Sequence, residues 1–173
     1  MTLPEGTREH RRRASALERI RCAVITVSDT RTEATDESGK LIQQLLVAAG
    51  HSVVSYRLLP NVEAQVTSHV ASLVGDDADA VILTGGTGLG DKDRTVEAVR
   101  PLLDKELPGF GELFRFLSYQ EQIGTAAILS RAVAGGAKRS LVVVLPGSRA
   151  AVELALTKIL IPELKHLVWE LRK

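Results

Sequence analysis

The chain has 173 residues, of which 45% are hydrophobic and 3% aromatic, and its formal net charge is +1. This length and apolar content are enough for one domain with a core of its own, which we expect to span residues 21–173. Residues 1–21 contain six arginines and three glutamates, which leaves 16 basic and 18 acidic residues for the rest. The body of the protein is therefore not expected to bind a phosphate backbone.

Residues 1–20 form a basic segment that we expect to be a flexible tail. Its run His10-Arg11-Arg12-Arg13 could touch nucleic acid or an anionic surface, but a solvated tail is the preferred interpretation. Nucleic-acid binding is also disfavoured because only Tyr56 lies on a predicted strand, where it could stack on a base. The tail lacks the apolar region of a secretion signal. No stretch approaches the roughly 18 apolar residues of a membrane helix, so we expect a cytoplasmic protein without membrane contact.

The cysteine and histidine content limits covalent and metal chemistry. The single cysteine, Cys22, excludes an internal disulfide and a cysteine-based zinc site, and its place in an apolar run favours a buried small side chain over a nucleophile. The four histidines show none of the short spacings of metal ligands.

Short valine-rich runs alternate with segments of helical period along the chain. This pattern is typical of an α/β domain built as a three-layer sandwich, with a mostly parallel central sheet and helices on both faces. In chain order, the predicted elements are a strand at 22–28, a helix at 36–49, a strand at 52–59, a helix at 62–74, a strand at 79–84, and helices at 95–105 and 110–120.

The C-terminal part of the chain is less regular. Residues 128–137 fit either a helix or a short strand that turns back through Gly135 and Gly136, and we favour the strand. The run at 141–145 is the most apolar of the predicted strands and is expected near the sheet centre. The helical pattern at 150–171 should break or kink at Pro162, because proline is not tolerated inside a helix.

Polar or glycine-rich sequences follow three predicted strands. They are Ser28-Asp29-Thr30, Gly85-Gly86-Thr87-Gly88 and Pro146-Gly147-Ser148. Because the carboxyl ends of parallel strands meet at one edge of a sheet, the three loops are expected to converge on one ligand site.

The segment from Thr84 to Asp93 is the most informative part of the chain. Its glycines allow successive N–H groups to turn toward one point and Thr87 adds a hydroxyl, so the loop can hold a phosphate or another anion. The spacing matches neither common nucleotide-binding pattern, which leaves a plain tight turn as an alternative. Asp91 and Asp93 lie beside this anion loop, where a carboxylate would repel a phosphate unless Mg²⁺ lay between the carboxylate and the phosphate. Asp93 could instead cap the helix that begins near Thr95.

Two other features have simpler interpretations. Asp36 is expected to cap the first predicted helix. Four clustered aromatic side chains are expected to pack inward or against another subunit; they are Phe110, Phe114, Phe116 and Tyr119.

Five motifs occur in a distinctive order and spacing. They are Ile25-Thr-Val-Ser-Asp29, Thr84-Gly-Gly-Thr-Gly88 with Asp93 and Thr95 following, Pro108-Gly-Phe-Gly-Glu112, Leu129-Ser-Arg131 and Leu145-Pro-Gly-Ser148. Together they resemble the molybdenum cofactor biosynthesis proteins of the B and Mog type over about residues 20–165. Within that family, Ile123-Gly-Thr-Ala and the run from Ser130 to Gly135 look closer to the bacterial B type.

The resemblance implies that the chain binds molybdopterin, a pterin that carries a dithiolene and a terminal phosphate, and transfers AMP from Mg-ATP to that phosphate. Gly85 to Gly88 would hold phosphate, and Asp93 would be the essential acid that orients the metal or nucleotide. The resemblance also assigns binding positions in the surrounding loops; these are Ser28, Asp29, Asp91, Ser130, Pro146, Gly147 and Ser148. Family members are trimers or hexamers, so a homotrimer or homohexamer is expected, with the aromatic cluster at a subunit contact.

One departure from the family pattern bears on catalysis. Active members typically read Leu-Ile-Pro-Asp after the second strand, and this chain reads Leu58-Leu59-Pro60-Asn61. Asparagine can accept a hydrogen bond but has no charge, so a site that used this acid for Mg²⁺ would have lost half its pair, unless Asp91 or Glu63 substitutes. The alternative function is therefore a non-catalytic molybdopterin-binding carrier that has lost adenylyl transfer.

Overall fold

The computed structural model describes Glu5, Glu9, Arg12 and residues 16–173. Most of the predicted tail, with three residues of the run at 10–13, therefore lies outside the described residues. At the start of the continuous part, Ile20 is fully buried and Leu17 packs against the core. No helix in this described part is long and apolar enough to cross a membrane.

The described residues form a mixed sheet of six strands. The strands are β1 (Arg21–Val27), β2 (Ser52–Leu59), β3 (Ala80–Thr84), β4 (Lys105–Glu106), β5 (Val133–Ala137) and β6 (Ser140–Leu145). Their order across the sheet is β2-β1-β3-β6-β5-β4. The pairs β1–β2, β1–β3 and β3–β6 are parallel, whereas β5 runs antiparallel to both β6 and β4. The mostly parallel sheet is therefore confirmed.

Helices cover both faces of the sheet, which confirms the three-layer sandwich. The helices are α1 (Glu37–Ala48), α2 (Glu63–Leu73), α3 (Thr95–Val99), α4 (Pro108–Ser118), α5 (Arg149–Ala155) and α6 (Ile161–Arg172). One core cluster joins the sheet to α1, α4, α5 and α6, and a second joins it to α2 and α3. Neighbouring strand residues alternate between the two clusters, as a pleated strand requires: Ile82 belongs to the first and Leu83 to the second.

The most apolar strand lies in the middle of the sheet, as predicted. All residues of β6 are buried, because it pairs with β3 on one side and β5 on the other and is covered by helices on both faces. A strand in this position has no solvent-facing side, which explains its unbroken run of apolar residues.

The predicted helix at 95–105 is wrong in its second half. Helix α3 ends at Val99, and Arg100–Leu102 form a 3₁₀ turn before β4 begins at Lys105. Pro101 has no N–H to donate and its ring interferes with the preceding turn, so the α-helix cannot continue through it.

The strand favoured for residues 128–137 is confirmed over Val133–Ala137, but the predicted turn is wrong. Gly135 and Gly136 pair with β4 inside the strand, and the chain reverses at Lys138, whose φ is 54°. A Cβ at Gly135 would lie 2.5 Å from the Lys105 carbonyl oxygen, so the glycine is needed for close strand pairing rather than for a turn.

The break or kink expected near Pro162 takes the form of a π-helical turn, without a break in the helical path. Helix α5 ends at Ala155, a π-helical turn covers Leu156–Leu160, and α6 begins at Ile161. Pro162 thus lies just after a π-helical turn, and the backbone stays helical through Leu160 and Ile161.

The aromatic cluster is divided between the core and the surface. Phe110 and Phe114 are buried with ring centroids 6.4 Å apart, whereas Phe116 and Tyr119 are 55% and 56% exposed. Half of the cluster therefore packs inward, and the subunit contact expected for the other half stays a prediction, as does the homotrimer or homohexamer.

Candidate functional site

The candidate site is a cleft of about 490 Å³ at the carboxyl ends of the parallel strands. From β1 the chain connects to β2 on one side, and β3 then lies on the other side of β1, which makes this edge the topological switch point where ligands bind in α/β folds. The lining residues come from four strand ends and the loops that follow them: 26–31 at the end of β1, Asn61 after β2, 84–86 with Asp93 at the end of β3, and 147–148 after β6. The predicted convergence of the three loops is thus observed.

The glycine loop brings three strand exits into close contact. Gly85 has a φ of +94°, and a Cβ there would lie 2.3 Å from the Val27 carbonyl oxygen. The Gly85 N–H donates to the Leu145 carbonyl at 3.1 Å, so it holds the loop to β6 and is not free for an anion. Gly86 lines the cleft, while Thr87 is buried and Gly88 exposed, and neither of the latter two lines it.

The Asp93 carboxylate turns back onto its own loop. Its Oδ2 accepts a hydrogen bond from the Gly90 N–H at 3.2 Å. Helix α3 has Arg94 at its N-cap and no side-chain cap, so the helix-capping role considered for Asp93 is wrong. Asp93 instead lines the cleft, whereas Asp91 is exposed outside its lining.

Arg131 fixes the loop that carries Asp93. Its Nε donates to the Thr87 carbonyl at 3.0 Å, its Nη2 donates to the Asp93 carbonyl at 2.9 Å, and the guanidinium pairs with Glu97 of α3. The hydrogen bond and positive charge of Arg131 hold the pKa of Glu97 below its ordinary value. Arg131 reaches this edge because β5 is antiparallel, so the residues before it lie beside the residues that follow β3. The sequence motif contained Arg131, but no role was predicted for it.

The hydroxyl groups of Ser28 and Ser148 both accept hydrogen bonds from nearby main-chain N–H groups. The Ser28 hydroxyl oxygen accepts from the N–H groups of Thr30 and Arg31, and the Ser148 hydroxyl caps α5 by accepting from Ala151 N–H at 3.2 Å. Both serines line the cleft.

Ser130 and Pro146 lie outside the cleft lining. Ser130 Oγ accepts from Ala132 N–H at 3.4 Å, and the Pro146 carbonyl accepts from the Thr84 hydroxyl at 2.9 Å. These hydrogen bonds hold the main chain before β5 and after β6, next to the cleft.

Asn61 leaves one buried oxygen without a hydrogen bond. Its N–H donates to Asp29 Oδ1 at 2.8 Å, but its Oδ1 has no partner in the described chain, and neither does the buried Thr95 Oγ1. A Cβ on Gly86 would lie 2.4 Å from Asn61 Oδ1 and 2.2 Å from Thr95 Oγ1, so both oxygens face the space beside Gly86. Buried polar atoms without partners are rare, so a ligand donor or a cation is a natural partner for Asn61 Oδ1.

The donor set fits Mg²⁺ bound together with a phosphate-bearing substrate. No group of three acidic, histidine or cysteine side chains suited to a metal occurs among the described residues. Mg²⁺ is often held by one or two carboxylates together with substrate phosphates and water, and Asp93 with the Asn61 amide oxygen supplies such a partial set.

A basic side chain that the sequence did not single out also lines the cleft. Arg31 lies beside the carboxylate of Asp36, 3.4 Å from its Oδ1. The cap predicted for Asp36 is confirmed, because its Oδ1 accepts from the Gly39 N–H at 2.9 Å. The available signal for Arg31 was a basic residue in the polar loop that follows the first predicted strand.

Cys22 takes no part in the site. It is fully buried in β1, and burial, with a smaller effect of Asp79, raises the pKa of its thiol to about 12. The preference for a buried small side chain over a nucleophile is confirmed.

Comparisons with known proteins match most of the chain. The model of a family described as "Probable molybdopterin binding domain" matches residues 23–166. "Molybdenum cofactor biosynthesis protein B" of Bacillus subtilis (strain 168) is 51% identical over 169 residues, which cover 97% of this chain and 98% of that protein. The tungsten cofactor synthesizing protein MoaB from Pyrococcus furiosus is 38% identical with a TM-score of 0.80, over 90% of this chain and 99% of that one. A crystal structure of a molybdenum cofactor biosynthesis protein B is 48% identical with a TM-score of 0.85, over 89% and 96% of the two chains.

Proposed function

The chain belongs to the molybdopterin-binding domain family of molybdenum cofactor biosynthesis proteins, close to the B type, and on that premise we propose that it transfers AMP from Mg-ATP to the terminal phosphate of molybdopterin. Its part in molybdenum cofactor biosynthesis follows from the family. The adenylyl transfer is the further step that we propose for the cleft.

The observation that carries the proposal is the position of Asp93 on the wall of the cleft beside the Gly85–Gly86 exit. The lining contains two carboxylates, Asp29 and Asp93, and one basic side chain, Arg31. Polyphosphate cannot approach two carboxylates closely without a cation between them. A cleft lined by two carboxylates and one arginine is therefore suited to a nucleotide that enters with Mg²⁺.

In the proposed reaction an oxygen of the pterin phosphate attacks the α-phosphorus of ATP. The new P–O bond forms as the bond from the α-phosphorus to the bridging oxygen breaks, and pyrophosphate leaves with that electron pair. Such a transfer needs no protein nucleophile, only alignment of the two phosphates and neutralisation of their charge. Mg²⁺, held by Asp93, would supply charge neutralisation, and the main chain at Gly86 and Gly147 would limit how the phosphates can lie.

A non-catalytic molybdopterin carrier is the second candidate, and Asn61 is the observation that favours it. Its amide oxygen lies where an acid is typical of active members, and it offers Mg²⁺ a neutral ligand in place of a charged one. Weaker Mg²⁺ binding would leave pterin binding intact while slowing or abolishing adenylyl transfer.

The decisive experiment incubates the purified full chain with molybdopterin, ATP and Mg²⁺ and quantifies adenylylated pterin by chromatography. We expect product with wild type and a loss of about 100-fold or more for Asp93→Asn, in the range typical of removing one electrostatic contribution to a transition state. Asp77→Asn is the matched control, because Asp77 is an exposed acid preceding β3, outside the cleft lining.

The Asn61→Asp variant separates the two candidates. A wild type that binds molybdopterin without turnover, together with an active Asn61→Asp variant, would establish the carrier and overturn the enzyme. Turnover in wild type that Asn61→Asp does not improve would overturn the carrier. Pterin binding, measured separately by fluorescence titration, shows that any inactive variant still holds its substrate.

A further inference from the structure

We propose that Arg31 is a phosphate-binding residue of the cleft and that the buried carboxylate of Asp36 positions it. The inference rests on the proposed function in that the phosphate belongs to the pterin or to the nucleotide.

A fully buried carboxylate lies beneath the cleft. Asp36 has no exposed surface, and its Oδ2 accepts hydrogen bonds from the Thr26 hydroxyl at 2.5 Å and the Tyr56 hydroxyl at 2.7 Å. Burial alone would raise the pKa of Asp36, but these bonds, that of Gly39 N–H and the charge of Arg31 outweigh burial and hold the pKa below its ordinary value. Asp36 is therefore ionised at neutral pH.

The fold makes room for this carboxylate at Gly39. A Cβ at Gly39 would lie 2.1 Å from Asp36 Oδ2, 2.6 Å from Thr26 Oγ1 and 2.9 Å from a ring carbon of Tyr56. Two β-strands and the first turn of α1 thus enclose one negative charge directly below the cleft. A buried charge requires a partner, and the basic group beside it is Arg31.

The guanidinium of Arg31 is held at both terminal nitrogens, and part of its Nε–Nη2 edge is free of hydrogen bonds to the described residues. Its Nη1 donates to Asp36 Oδ1 at 3.4 Å and to the Ser38 hydroxyl at 3.2 Å, and its Nη2 donates to the Gly147 carbonyl at 3.2 Å. A guanidinium has five N–H donors. The Nε–H and one Nη2–H make no hydrogen bond within the described chain, and the side chain is 35% exposed toward the cleft that it lines.

These free donors suit a phosphate. An arginine fixed by a buried carboxylate presents its remaining N–H groups in one plane, the geometry that binds two oxygens of a phosphate at once. Among the cleft-lining residues of the described chain, Arg31 is the only basic one. Arg31 therefore supplies the positive charge that the protein itself offers to a substrate phosphate. It lies at a different position in the cleft from Asp93, the acid that would hold Mg²⁺.

The test measures how much the phosphate contributes to binding, without turnover. Titrations compare molybdopterin with its dephosphorylated form, and ATP with adenosine, for wild type, Arg31→Gln, Arg31→Lys and Arg57→Gln. Arg57 is an exposed arginine on β2 outside the cleft and serves as the control. Thermal unfolding of each variant verifies that it is folded.

We expect Arg31→Gln to weaken binding of one phosphorylated ligand by roughly tenfold or more, as for a charged hydrogen bond, and to change the binding of its phosphate-free form by less than twofold. The affected pair, pterin or nucleotide, identifies which phosphate Arg31 contacts. Arg31→Lys should retain part of the affinity and Arg57→Gln all of it. Asp36→Asn should reduce the same preference for the phosphorylated form, because it frees Arg31 to move.

Two results would overturn the proposal. One is an equal loss for phosphorylated and phosphate-free ligands, which would make Arg31 only a link between the β1 and β6 exits. The other is unchanged binding in Arg31→Gln. If wild type binds phosphorylated ligands through Arg31 but makes no adenylylated pterin, the adenylyltransferase proposal fails and this one stands.

Discussion

At Gly86 the cleft depends on the absence of a side chain. The residue has a φ of +61°, and a Cβ would meet Asn61 Oδ1 at 2.4 Å and Thr95 Oγ1 at 2.2 Å. Gly50, which follows α1, has a similar φ of +84° but no atom within 4 Å of the Cβ position. The two glycines therefore share a backbone conformation and differ in crowding.

We predict that Gly50→Ala lowers the free energy of unfolding by about 1 to 2 kcal/mol, the cost of a left-handed backbone for an L-residue. Gly86→Ala should cost about 1 to 3 kcal/mol more, because Asn61 or Thr95 must also move. Urea unfolding measures both values. Equal losses in the two variants would show that the loop adapts to a methyl group without cost.

At this scale the sequence predicted the residues that depend on local position. Asp36 before a helix and the polar residues after strands could be identified, because the capping preference and the strand-exit rule depend on nearby sequence. Arg31 and Arg131 were missed for a physical reason. Their roles depend on partners from distant parts of the chain, Gly147 for Arg31 and Thr87 for Arg131.

Among the elements, α4 begins with glycines in contrasting surroundings. Gly109 has no atom within 4 Å of its Cβ position, whereas a Cβ at Gly111 would lie 2.8 Å from the Ala132 carbonyl oxygen and 2.9 Å from Arg115 Nη1. The close approach at Gly111 lets the helix pack onto the segment that leads into β5.

We therefore predict opposite effects for two alanine substitutions in one helix. Gly109→Ala should raise the free energy of unfolding by about 0.5 kcal/mol through its higher helix propensity. Gly111→Ala should lower it by about 1 to 3 kcal/mol, because helix and main chain must separate. Differential scanning calorimetry of both variants against wild type provides the measurement. A gain for Gly111→Ala would contradict the packing described here.

The errors at the element scale also have physical causes. The extent of α3 was overestimated because the helical pattern continues past Pro101, although the proline stops the hydrogen-bond ladder. Gly135 and Gly136 resembled a turn, because glycine marks both turns and close strand pairing. Only the position of β4 distinguishes the two, and a strand of two residues has no period to detect.

For the whole molecule, several buried or half-buried groups respond to acid in the same direction. Burial lowers the pKa values of His51 and His69, and the nearby positive charges of Lys165 and Arg57 lower them further. Both rings are therefore neutral in the folded protein, while the unfolded chain takes up protons below its ordinary histidine pKa of about 6.5. Asp36 and Asp79, whose pKa values are also lowered, lose their stabilising effect only at more acidic pH.

We predict that the free energy of unfolding is constant between about pH 7 and 8 and falls as the pH drops through 6.5 toward 5, with a second decline below about pH 4 as carboxylates protonate. Urea titrations at a series of pH values measure this profile. A double His51→Gln, His69→Gln variant should flatten the first decline and keep the second. Stability that is constant or rises between pH 7 and 5 in wild type would refute the assignment.

The hydrogen bond from Arg31 to Gly147 joins residues 116 positions apart, and Ser38 reaches the same carbonyl across 109 positions. During synthesis the loop after β1 leaves the ribosome long before the exit of β6 exists. A nascent or truncated chain that ends before Gly147 lacks one wall of the cleft, because Gly147 and Ser148 line it. We therefore expect the cleft to bind its ligand only when the exit of β6 is in place, and a bound ligand would stabilise the whole sheet against opening at β6.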